Sequence, residues 1–181
     1  LLKAIEKLNR VLELDSSNSL ALTMRGDQYL SIGRHAEAIA DFELALAQAP
    51  EDSGVLNNFA WTLATSPTDE LRNGKRAVEL ATKACELTEY KMPHILSTLA
   101  ASYAEAGDFD KATEWAQKAI DLDKTENEGL HQEDLKKELA SYQAKKPFRE
   151  LQQLDESQKQ EEKDLLAPPS QTPAPARTID F

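Results

Sequence analysis

Apolar residues through the first two thirds of the chain recur at spacings of three and four, the period that lines one face of an α-helix. Ala38, Phe42 and Ala45 share such a face, as do Ala77, Ala81 and Ala84, and again Ala112, Ala116 and Ala119. Ala4, Leu8 and Val11 form a weaker first copy, placed where a preceding helix would pack. Each complete trio follows a second helical pattern: Leu22, Gly26 and Tyr29, then Leu56, Ala60 and Leu63, then Leu96, Ala100 and Tyr103. Small residues in the trios let a neighbouring helix come close. Ile32-Gly33-Arg34-His35 and Ala106-Gly107-Asp108-Phe109 separate the paired helices, with Gly for the left-handed C-terminal cap. Pro50 follows the helix that ends near Ala49, where it blocks continuation.

The pairs repeat. Ala4, Ala38, Ala77 and Ala112 follow one another at intervals of 34, 39 and 35 residues. Gly26-x-x-Tyr29, then Ala38-x-x-x-Phe42-x-x-Ala45, then Pro50 resembles the tetratricopeptide repeat, and the stretch from Asn57 to Thr88 resembles such repeats of bacterial type. Leu22 stands in place of the repeat's Trp and Arg25 in place of its Leu, while the last unit has Lys124 where the Pro belongs. An irregular helical bundle is the rival reading, and matched spacing across several units stands against it. The resemblance implies an all-α, right-handed α-solenoid of helix–turn–helix repeats with a C-terminal capping helix. Its array covers 1–123, with a half repeat at 1–18 and repeats at about 19–52, 53–91 and 92–124.

The middle unit carries a longer connection, Thr65 to Gly74. Ser66 is expected to cap a short turn begun by Pro67, with Leu71 folding back as a plug. Beyond the array, residues 124–146 read as the capping helix. Leu130, Leu135, Leu139 and Tyr142 form its apolar stripe, with Glu133, Lys136, Lys137 and Glu138 off that stripe. Residues 147–181 turn Gln/Glu/Lys-rich and then Ala/Pro-rich, a composition that predicts a largely disordered tail. Because the chain opens inside a helical pattern, at Leu1-Leu2-Lys3-Ala4, it reads as a C-terminal piece of a longer one.

Charge narrows the partners. Acidic side chains number 32 against 21 basic ones, a formal net charge of −11. Such a surface repels phosphate backbones, so no nucleic acid partner is expected. No apolar run is long enough for membrane insertion. Cys85 is the only cysteine, on an apolar helix face, and reads as an inert buried thiol. His35, His94 and His131 fall in separate units and are not expected to converge on a metal. No catalytic motif occurs, so neither catalysis nor a cofactor is predicted. The cytoplasm is the expected compartment, with the periplasm left open.

In tetratricopeptide arrays the first helices of successive repeats line a concave groove. The resemblance therefore places Leu20, Thr23, Asp27 and Ser31 there, then Asn57, Trp61 and Thr65, then His94, Ser97, Ala101 and Glu105. Eight of these form the candidate peptide-binding site: Thr23, Asp27, Asn57, Trp61, His94, Ser97, Ala101 and Glu105. None is Lys or Arg, so the clamp that some family members use for acidic C-termini is absent from this set. Asp27 and Glu105 favour a basic ligand, with Asn57 and Ser97 hydrogen-bonding its backbone. Trp61 is read two ways, as the central hot spot for a ligand or as a ring filling the gap to the preceding repeat. The predicted function is a protein–protein interaction module that binds a peptide or partner helix. The alternatives are a regulatory region of a larger enzyme and a self-associating scaffold, and the oligomeric state stays open.

Overall fold

The computed structural model describes residues 1–126 and 129–150. Among them are eight helices: α1 (Leu2–Leu14), α2 (Ser19–Ser31), α3 (His35–Gln48), α4 (Ser53–Thr65), α5 (Gly74–Leu87), α6 (Pro93–Glu105), α7 (Phe109–Glu126) and α8 (Gln132–Gln143). A single 3-10 turn, Asp69–Leu71, lies between α4 and α5. No strand occurs among the described residues. Local chemistry sets several starts. The side-chain oxygens of Asn18, Asp52 and Asn73 accept hydrogen bonds from the free N–H groups opening α2, α4 and α5, and α6 begins on Pro93.

Helices pair as α2 with α3, α4 with α5 and α6 with α7, and α8 closes the stack on α7. This is the expected α-solenoid. All nine residues of the three complete trios are buried, because the second helix of each pair turns its small face inward. Close approach is literal at Gly26, where an added Cβ would lie 2.7 Å from the Phe42 ring. The turn glycines Gly33 and Gly107 both have positive φ.

Five local expectations need correcting. In α1 the buried positions are Ile5 and Leu12, not Val11, which is exposed. The helix has α2 to pack on, and that contact selects the Ile5–Leu8–Leu12 face. In the middle connection Ser66 both ends α4 and, as expected of a cap, accepts the Thr68 N–H on its hydroxyl; Leu71 is the residue that differs. Leu71 is only half-buried, and the side chain that folds back is Arg72. Residues 124–126, expected in the capping helix, belong to α7. With Lys124 instead of Pro, α7 runs to 18 residues against 14 for α3 and α5, and the cap itself is Gln132–Gln143. In the capping region Leu130 precedes α8 and is 80% exposed, whereas Glu138 is buried.

The fifth concerns the predicted tail. Its first residues, 147–150, pack on the array: a positive φ at Lys145 turns the chain after α8, and the Glu150 N–H donates to the Thr65 carbonyl at 3.0 Å. The rest of that segment, 151–181, lies outside the described residues.

Candidate functional site: the concave groove

The first helices α2, α4 and α6 each contribute one face to a groove, and α8 with Glu150 closes one side of it. Together they surround a cavity of about 580 Å³. Asp27 and Ser31 come from α2, Asn57, Asn58 and Trp61 from α4, and His94, Ser97 and Thr98 from α6. His131, Asp134 and Glu138 stand on the far side, while Leu30, Pro93 and Leu135 supply apolar wall. Among the described residues no Lys or Arg lines the cavity.

A chain of amides reaches the first carboxylate. Asn57 Nδ2 donates to Asn58 Oδ1 at 3.1 Å, and Asn58 Nδ2 donates to Asp27 Oδ1 at 2.8 Å. Burial raises the Asp27 pKa, and the Asn58 bond offsets part of that rise. At the end of this relay the Asn57 Oδ1 is buried and has no hydrogen-bond partner among the described residues. Opposite, the Ser97 hydroxyl donates to Glu138 Oε2 at 2.6 Å. Burial pushes the Glu138 carboxyl up to about 7; the Ser97 bond opposes the shift and nearby Asp134 adds to it.

The groove continues past the cavity toward the C-terminal end of α4, and there it is filled. Phe148 lies against Trp61, their ring centroids 5.9 Å apart. The Trp61 indole N–H donates to the Glu150 carboxylate. Arg149 sets its guanidinium 2.7 Å from one Glu105 oxygen, and Arg72 sets its own 3.0 Å from the other.

The candidate residues divide accordingly. Asp27, Asn57, Trp61, His94 and Ser97 converge on the cavity, although Ser97 spends its hydroxyl on Glu138. Ala101 is 2% exposed and belongs to the core beneath Phe148. Glu105 is held between two arginines. Thr23 lies outside the cavity, its hydroxyl donating to the Ser19 carbonyl one turn back, and Leu20 is exposed elsewhere on α2. Trp61 packs on the core cluster that includes Phe42 of the preceding repeat and also lines the cavity, where it touches the chain's own C-terminal segment.

His94 and His131 both line the cavity, because α8 folds over α6. His131 Nδ1 lies 3.0 Å from Asp123. Among the described residues no group of three or more His, Cys, Asp or Glu side chains is placed to hold a metal ion.

Sequence reasoning missed Asn58, Glu138, Glu150 and the two arginines. Asn58 sits one position from the chosen face of α4, and a cavity between helices admits neighbours on both sides of a seam. The others reach the groove from a loop, a cap and a tail, whose placement no repeat spacing encodes.

Comparison with known proteins follows the geometry. The family pattern described as tetratricopeptide repeat matches residues 20–52 and 93–126, on either side of the unit with the long connection. Two solved structures, both described as crystal structures of MamA, share the fold. One is 19% identical with a TM-score of 0.57, covering 78% of each chain. The other is 19% identical with a TM-score of 0.58, covering 90% of each chain. No curated protein matches the chain.

Proposed function

We propose, from the chain's membership of the tetratricopeptide-repeat proteins, that it receives a basic peptide or partner helix in the cavity between α2, α4, α6 and α8. Stacked repeats present an extended concave surface, and proteins of this architecture serve as interaction scaffolds rather than as catalysts. The observation that carries the basic ligand is the wall itself. A buried, unpartnered acceptor on Asn57 adjoins a relay ending on Asp27, and Glu138, Asp134 and Glu150 stand in the same wall. An N–H-rich cation answers both needs, because it donates to Asn57 and neutralises the carboxylates. The apolar residues Leu30, Pro93 and Leu135 suit the methylene stem of Lys or Arg.

Fluorescence anisotropy with short labelled peptides tests this reading. Lys/Arg-rich peptides should bind the intact chain and weaken as salt is raised, while Asp/Glu-rich peptides of equal length should not bind. Asp27→Asn should weaken the basic peptides several-fold with the helical content unchanged. Equal binding of both peptide classes, or indifference to Asp27→Asn, would sink it.

Self-association remains a second reading, favoured by the exposed Leu14, Leu20 and Met24 on α1 and α2. Light scattering over a concentration series measures it directly, and Leu20→Lys should lower any association it reveals.

A further inference from the structure

Where the groove passes the last turn of α4, three successive carbonyls face outward with no helical partner, as the end of any helix leaves them. Each is taken by a group from elsewhere. Arg149 donates to the Ala64 carbonyl at 3.3 Å, the Glu150 N–H to that of Thr65 at 3.0 Å, and Arg72 to that of Ser66 at 2.8 Å. The negative end of the α4 dipole and the Glu105 carboxylate together draw in N–H donors and a guanidinium. Beside them, Trp61 offers a ring face to Phe148 and an indole N–H to Glu150.

These contacts are of the kind a groove makes with a bound peptide: one ring contact, one charge-paired guanidinium, one backbone hydrogen bond and one carboxylate. Lys145 and Lys146, which join the segment to α8, are exposed, so it can swing away without unwinding a helix. Glu105 keeps Arg72 when Arg149 leaves.

We propose that the groove around Trp61, Thr65 and Glu105 recognises an aromatic–arginine–acidic peptide segment, held in this chain by its own Phe148-Arg149-Glu150 and open to an equivalent segment of a partner once this strap is displaced. This proposal rests on the groove-binding reading above and adds a second, distinct ligand chemistry next to the cationic cavity. A tethered occupant competes at an effective concentration in the millimolar range, so a free peptide binds the intact chain poorly until the strap is loosened.

The probe is a synthetic peptide of residues 147–150, in which one arginine balances one glutamate, capped at both ends and fluorescently labelled. It is titrated into the full chain and into the Phe148→Ala/Arg149→Ala variant, with folding checked by circular dichroism. The expected result is at least ten-fold tighter binding to the double variant, with Arg149→Ala alone in between. Adding Trp61→Ala to the double variant should abolish binding. Hydrogen exchange should show the Glu150 amide protected in the unaltered chain and exposed in the double variant. An unprotected Glu150 amide in the unaltered chain overturns the proposal, and so does equal peptide binding with and without the strap. A basic peptide run in parallel separates the two readings. If it binds while the 147–150 peptide does not bind the folded double variant, only the strap proposal falls. If neither binds, the groove reading falls with it.

Discussion

Ser97 and Glu138 are joined by a 2.6 Å hydrogen bond that ties the middle of α6 to the capping helix α8 across the rim of the groove. Both are buried, and the carboxyl titrates at about 7 instead of its ordinary 4.5.

A pH dependence follows from that shift. Between 4.5 and about 7 the folded chain holds a proton on Glu138 that the unfolded chain has released. Stability is therefore fullest below 4.5, falls as pH rises through this window and levels off above it, by about 3 kcal/mol in all from this group. Urea titrations of Glu138→Gln across the range should show that slope reduced, with the variant more stable than the parent at pH 8. An unchanged slope would show that Glu138 is not the titrating group.

Arg25, which replaces a leucine of the repeat pattern, makes two 2.7 Å hydrogen bonds to the buried Asp41 on α3 and another to Asn9 on α1. Arg25→Ala strips Asp41 of its charge partner and should cost about 3 kcal/mol. The double variant Arg25→Leu/Asp41→Leu should recover most of that. Denaturant unfolding of the two variants measures both quantities, and a single variant as stable as the parent would refute the role.

Gly74 begins α5 where a Cβ would meet the Ala106 backbone nitrogen at 2.6 Å and the Glu105 carbonyl carbon at 2.7 Å. Backbone cannot step aside as a side chain can, so Gly74→Ala should destabilise by about 2 kcal/mol. Gly54→Ala, which meets only a side-chain oxygen at 3.2 Å, is the control and should be far milder. Thermal melts of equal midpoint for the two would contradict the close approach.

Cys85 is fully buried, and burial pushes its thiol up to about 12. With neither thiolate nor access, it should stay unlabelled by a thiol reagent at pH 8 and react fully in denaturant. Rapid labelling of the native chain would place it at the surface.

Much of the architecture was legible in the sequence. The trios Ala38-Phe42-Ala45, Ala77-Ala81-Ala84 and Ala112-Ala116-Ala119 declare their helices because burial in a stacked repeat tolerates only small or matched side chains at those positions. Gly33 and Gly107 mark two turns because few other residues accept a left-handed backbone. Asp27, Asn57, Trp61, His94 and Ser97 were assigned to the groove by the resemblance to tetratricopeptide arrays, and they line the cavity. Tertiary structure alone decided the rest. Glu138 reads as one more polar residue on a cap until α8 lies over Ser97. Arg25 reads as a departure from the repeat until Asp41 comes opposite it. Phe148, Arg149 and Glu150 read as the start of a tail until a turn at Lys145 lays them on Trp61 and Glu105. Helical period reports what faces a neighbour within one repeat. Pairings across more than 80 residues of chain, such as Arg149 with Ala64, depend on where the stack ends and the chain turns back, and no short-range spacing carries that information.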